Sequence, residues 1–210
     1  MLTLYYAVGS CALATHIALI DAGADYEAKP VDFAANQQRT PDYLAINPKG
    51  RVPALVTPQG VLTESPALLA YVAQSFPDAG LLPLDDPFAF AEAQAFNSYM
   101  ATTVHVAHAH GRRGYRWADE ADAIAAMKRK APQVMADGFA LVEDKLLRGP
   151  WVLGERYSIC DPYLFTFSSW LEADGVDPAR FPRVLEHRNR MAARPAVQQA
   201  LAEQTARKAA

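Results

Sequence analysis

Residues 52–76 read VPALVTPQGVLTESPALLAYVAQSF, and the change of period inside this stretch decides the fold. Val52–Val56 and Val61–Thr63 are short apolar runs separated by Pro58-Gln59-Gly60, which is the spacing and turn chemistry of a β-hairpin. From Ser65 the apolar residues recur at helical spacing, with Ser65 expected as N-cap and Pro66 at the first helical position, where its missing N–H does no harm. Upstream, LTLYY (2–6) predicts a strand, Gly9-Ser10 a turn, and ALATHIALIDAG (12–23) a helix that stops near Gly23. Residues 25–33 predict a second strand, in which Pro30 points to a sheet edge or a strand end. RTPDYLAINPKG (39–50) predicts a short helix ended by Asn47-Pro48. The resulting order is βαβαββα.

Residues 77–87, PDAGLLPLDDP, concentrate Pro, Gly and Asp without periodicity, so a first domain is expected over 1–80 and a linker over 81–87. The texture then changes. Residues 88–210 are Ala-rich, with helical spacing in 88–110, 119–147, 158–173 and 181–204, and the expectation is an all-α second domain.

The chain has 210 residues, 51% of them apolar, which is enough for a substantial core. Twenty basic against 23 acidic residues give a net charge of -3, so neither nucleic acid nor an anionic membrane is an expected partner. The N-terminal stretch has none of the features of a signal peptide, no apolar run reaches membrane-span length, and a cytoplasmic protein is expected. Two cysteines in unlike contexts, Cys11 and Cys160, make no disulfide framework.

Two places suit chemistry, and a third serves the fold. Cys11 falls at the start of the first helix, where unpaired N–H groups and the helix dipole are expected to lower its pKa and favour a thiolate. Glu64-Ser65-Pro66 sets a carboxylate, a hydroxyl and free N–H groups at a helix start, either as a simple cap or as a site for both ends of an amino acid. Ser158 and Asp161 form a variant capping box whose role is folding, with Cys160 inside it as a small buried apolar residue. His105, His108 and His110 do not share one helical face, and no metal is expected. His16 and His187 read as helix-surface or packing residues.

YYAVGSCALATHIAL (5–19), DYLAINPKGRVPALVTPQGVLTES (42–65), ERYSICDPYLFTFSSW (155–170) and RMAARPAVQQAL (190–201) together resemble the glutathione transferase superfamily, and within it the bacterial beta class. The resemblance runs over almost the whole chain. It implies a thioredoxin-like N-terminal domain, an α/β unit, followed by an all-helical C-terminal domain. It implies glutathione as co-substrate, a small hydrophobic electrophile as second substrate, and a twofold homodimer. It implies a cis peptide bond at Val52-Pro53, with Val52 pairing the ligand's backbone and Glu64 and Ser65 holding its γ-glutamyl group. Cys11 matches the cysteine of the class, which can hold glutathione as a mixed disulfide, and His105 matches a histidine that points into the cleft as a donor or a proton relay near neutral pH. Ser10 and Tyr6 stand where other classes place a catalytic hydroxyl, so Cys11, Ser10 and Tyr6 all remain candidates.

The chain also departs from the class. The lysines expected to hold the glycyl carboxylate are absent: AANQQR (34–39) puts Asn36 and Gln37 near one of those points, and Val106 stands at another. A polar residue that meets the ligand becomes Ser98. Arg39, Arg112, Arg113 and Arg116 are the candidate replacements, and Ala7, Val8, His108 and Tyr115 the candidate electrophile-site residues. Conjugation of glutathione is the expected activity. Thiol–disulfide exchange or peroxide reduction through Cys11 is a second reading, and a non-catalytic ligand-binding protein of the same fold is a third.

Overall fold

The computed structural model describes residues 1–206. Its first part follows the expected order: β1 (Leu2–Tyr6), α1 (Ala12–Asp21), β2 (Tyr26–Pro30), α2 (Pro41–Ile46), β3 (Ala54–Thr57), β4 (Gly60–Thr63) and α3 (Ser65–Ser75). The sheet order is β2-β1-β3-β4, with β1 parallel to β2 and the remaining pairs antiparallel. Leu4 pairs Ala28 on one side and Leu55 on the other, and all three are buried at the centre of the sheet. Pro30 ends β2, which is an edge strand, so its missing N–H is not asked of the ladder.

Two local expectations need correction. The strand after residue 52 begins at Ala54, because Pro53 has no N–H to give the sheet. Ser65 is not the N-cap of α3 but its first helical residue, since Glu64 holds the cap position with a left-handed φ of 74°. The Ser65 hydroxyl is thereby released from capping.

The second part consists of α4 (Pro87–Tyr99), a wide π-turn at Met100–Val104, α5 (His105–Arg113), α6 (Ala121–Leu141), α7 (Cys160–Ser168), α8 (Pro182–Ala192) and α9 (Pro195–Ala206). Residues 81–87 are not a loose tether: Leu81 and Leu82 are buried, and the Leu81 carbonyl accepts from Ile159 N at 3.1 Å. Asp86 then caps α4, accepting from Phe88 N and Ala89 N at 3.0 Å each.

Every residue of α7 is buried, which makes it the axis of the helical part. The capping box at its start works as expected, with Ser158 Oγ accepting from Cys160 N and the Asp161 carboxylate accepting from Ser158 N. The segment 181–204 is two helices, because Pro195 cannot continue α8. The break lets α9 fold back on α1, where Ala196, Val197 and Ala200 pack against Leu13 and Ile17. Burial of a side chain such as Ile17 contributes about 2 kcal/mol, so this contact ties the last helix to the first. His16 and His187 are both fully buried and hydrogen-bonded, His16 Nε2 lying 3.0 Å from Glu203 Oε2 and His187 Nε2 3.0 Å from Asp161 Oδ1.

Candidate active site

A cavity of about 390 Å³ opens between the sheet-bearing part and the helical part, and its walls come from both. On the sheet side lie Ser10, Cys11, Val52, Pro53, Glu64 and Ser65, and on the helical side His105, His108, Arg113, Tyr163 and Trp170. The Val52-Pro53 peptide bond is cis.

Ser10 donates its hydroxyl to the Ala7 carbonyl at 2.7 Å and accepts from Ala12 N at 3.3 Å, so this side chain shapes the turn into α1. Cys11 follows at the helix start, with its S–H 3.7 Å from the Val52 carbonyl. Its thiol is buried, and burial pushes the pKa above the ordinary value against the pull of the Ser65 hydroxyl and the Arg113 guanidinium. The expected thiolate is thus corrected: the helix dipole acts here, but desolvation of the charged form outweighs it. Tyr6, the third hydroxyl or thiol candidate, packs in the core beside His16 and does not line the cavity.

Glu64 stands at the mouth, where its carboxylate pairs with Lys49 Nζ at 2.5 Å. Strained backbone of this kind is found where a ligand is held, and Glu64 is one of two non-glycine residues with positive φ among those described.

His105 sits among Phe167 and Trp170, ring centroids 5.3 and 5.6 Å away, and burial drives its pKa down to about 3. It is therefore a neutral imidazole across the physiological range, a hydrogen-bonding group rather than the near-neutral relay expected. His108 stacks on Trp170 at 4.3 Å, with Nδ1 2.7 Å from Asp174 Oδ2. Trp170 Nε1 donates to the Gly9 carbonyl at 3.1 Å, which fixes the helical wall against the turn before Cys11.

The remaining candidates divide. Ala7, Val8, Val106, Arg113 and Arg116 line the cavity. Arg112 does not, being held by Asp174 Oδ1 at 3.3 Å and by the Ala173 carbonyl. Arg39, Asn36, Gln37, Ser98 and Tyr115 also lie outside it. Sequence reading missed Phe33, Arg51, Trp117, Tyr163 and Trp170, all of which line it. Tyr163 and Trp170 sit in or just after a helix buried on all faces, so no periodicity marks the side that meets the cleft. Arg51 directly precedes Val52, and that adjacency was a usable signal. Among the described residues, no three or more His, Cys, Asp or Glu side chains are grouped to hold a metal ion, and no helix is long and apolar enough to cross a membrane.

The family model described as glutathione S-transferase, N-terminal domain, matches residues 1–74. Glutathione S-transferase GstA of Escherichia coli O157:H7 is 32% identical over 200 residues, which cover 94% of this chain and 96% of that protein. The chain belongs to the glutathione S-transferase family. Among solved structures, a glutathione transferase homologue from sulfitobacter with bound glutathione is 46% identical, with a TM-score of 0.94 and coverage of 97% of this chain and 98% of that one. A sphingomonad glutathione S-transferase complexed with glutathione is 32% identical, with a TM-score of 0.84 and coverage of 97% and 98%. A maleylacetoacetate isomerase of Pseudomonas aeruginosa is 30% identical over 88% of this chain and 87% of its own length. The likeness therefore extends to relatives named for different activities, and the family is what they support in common.

Proposed function

We propose that this glutathione S-transferase family member joins the sulfur of glutathione to an electrophilic carbon of a small second substrate. One observation carries the reading: a single cavity brings Cys11, Val52, Glu64 and Ser65 on one wall together with His105 and an aromatic, basic wall opposite. The γ-glutamyl carboxylate is assigned to the α3 N-terminus and the Ser65 hydroxyl, and its ammonium to Glu64, which exchanges Lys49 for the ligand. Exposed ion pairs such as Lys49–Glu64 contribute at most about 1 kcal/mol, so the exchange is not prohibitive. The cysteinyl backbone is assigned to Val52 and the glycyl carboxylate to Arg51 beside it.

In this arrangement the ligand sulfur lies near the start of α1, where the helix dipole, the Cys11 S–H and the neutral His105 ring favour its thiolate. The thiolate attacks carbon, a C–S bond forms, the leaving group departs with the bonding pair, and the thiol proton passes to water. Holding both reactants in one cavity supplies the remaining acceleration. The buried, protonated Cys11 supports conjugation over a thiol–disulfide cycle that needs its thiolate. A cysteine at this place also supports the cysteine-bearing bacterial class as the subtype.

Conjugation of 1-chloro-2,4-dinitrobenzene, followed by absorbance and product mass, tests the proposal. Turnover is expected, and Ser65→Ala is expected to raise KM for glutathione roughly tenfold, since a hydrogen bond to a charged group contributes about 1.5 kcal/mol or more. Glutathione binding without turnover on any electrophile would make this a binding protein. A product with the electrophile's own mass would instead assign an isomerase.

A further inference from the structure

The helical wall of the cleft holds cations without partners. Arg113 and Arg116 line the cavity, and among the described residues neither has an ion-pair or hydrogen-bond partner for its guanidinium. The Nε of Arg113 is buried with nothing to bond to, although the side chain as a whole is half-buried. Among the described residues Glu64 is the one acid that lines the cavity, and it is already paired with Lys49. Burial and the neighbouring Arg116 and Arg51 charges both weigh against the protonated form of Arg113. A partly desolvated cation beside like charges is unfavourable unless something negative comes to it.

The fold takes trouble to place these groups. A Cβ on Gly111 would lie 3.0 Å from that of Ala131, and one on Gly114 would lie 3.3 Å from Ile124 Cγ2. Glycine at these two positions fits the close approach of this stretch to α6 without displacing a neighbour, and the stretch carries Arg113 and leads into Arg116 and Trp117. Trp117 is held in turn by His110, edge to face at 4.4 Å. At the mouth, Phe33 and Trp117 line the same cavity while 41% and 49% exposed. Large aromatic side chains left open in one cleft mark a surface for a planar apolar body.

We propose that the second substrate is an aromatic or conjugated carboxylate, with its carboxylate in the fork of Arg113, Arg116 reinforcing it at the mouth, and its planar body between Phe33 and Trp117. A guanidinium offers two parallel N–H groups that match a carboxylate, which a neutral substrate cannot use. This inference rests on the assignment of the opposite wall to glutathione, whose two carboxylates are given to Ser65 and Arg51 and leave the helical-wall arginines for another anion.

The test is isothermal titration of 4-nitrobenzoate and the neutral 4-nitrobenzamide into protein saturated with glutathione, for wild type, Arg113→Met, Arg113→Lys and Arg116→Met. Wild type is expected to prefer the benzoate by about tenfold or more, as a charge-assisted pair contributes. Arg113→Met abolishes that preference, Arg113→Lys and Arg116→Met retain part of it, and glutathione affinity is unchanged in all. Equal affinity for the two ligands in wild type, or a preference that survives Arg113→Met, overturns the proposal. So does a matching loss of glutathione affinity in Arg113→Met, which would give this arginine to the glycyl carboxylate. Conjugation of 4-chloro-3,5-dinitrobenzoate, run beside its methyl ester, separates the two levels. If neither ester nor acid is conjugated while the benzoate preference depends on Arg113, the carboxylate site stands and the transferase reading falls.

Discussion

Asp161→Ala is expected to lower the stability of the protein by about 3–5 kcal/mol, the scale for removing one member of a buried, hydrogen-bonded charged set. Asp161 is wholly buried, and its two oxygens hold three separate pieces of chain. Oδ2 accepts from Ser158 N at 2.7 Å, closing the start of α7. Oδ1 accepts from Val152 N at 2.8 Å and lies 3.0 Å from His187 Nε2 on α8. Alanine leaves two backbone N–H groups and an imidazole in the core without their acceptor. At roughly 2–4 °C per kcal/mol for a chain of this size, the melting temperature should fall by about 6–20 °C. Asp161→Asn keeps one acceptor oxygen and should recover part of the loss. Thermal melts of the two variants check this, and an alanine variant as stable as wild type would mean that the carboxylate does not organise α7.

The second large effect is on the acid side. His105 has a folded pKa of about 3, below the ordinary 6.5, so the unfolded chain binds the proton more readily than the folded one. Stability from keeping this ring neutral is fully present above pH 6.5 and is lost as pH falls toward 3, at about 1.4 kcal/mol per pH unit within that window. By pH 4.5 the loss is roughly 3 kcal/mol. His105→Gln has no such proton to gain. Denaturant unfolding of wild type and His105→Gln at pH 7, 5.5 and 4.5 should show the gap between them shifting toward the variant by that amount. Parallel curves would mean that water reaches the ring and that His105 titrates near neutral pH after all.

Both effects come from burial, and burial is where sequence reading ran short. The hairpin at residues 52–63 and the helix after it were legible because period and turn chemistry agree there. The whole βαβαββα order followed from signals of that local kind. The thiol of Cys11 was read as activated because a helix start is visible in sequence, whereas the burial that opposes activation arises only when the chain is folded and is not visible there. Ser65 was misplaced by one residue because nothing in Glu64-Ser65-Pro66 announces that a glutamate will take a left-handed φ. The break at Pro195 went unremarked within the helical stretch 181–204, since its Ala-rich flanks keep helical spacing on both sides. Trp170 and Arg51 were missed for opposite reasons. The first lies after a helix with no exposed face, and the second beside a recognised motif that drew attention to Val52-Pro53 alone.

The most direct test of the central claim is an ultraviolet titration of the glutathione thiolate bound to the wild-type protein. Burial holds Cys11 and Cys160 above the ordinary thiol value, so thiolate absorbance that appears near neutral pH belongs to the ligand. The account predicts that bound glutathione titrates clearly below the value of about 8.5 for a free cysteine thiol. Bound glutathione that titrates at its free value, or glutathione that does not bind, would contradict it.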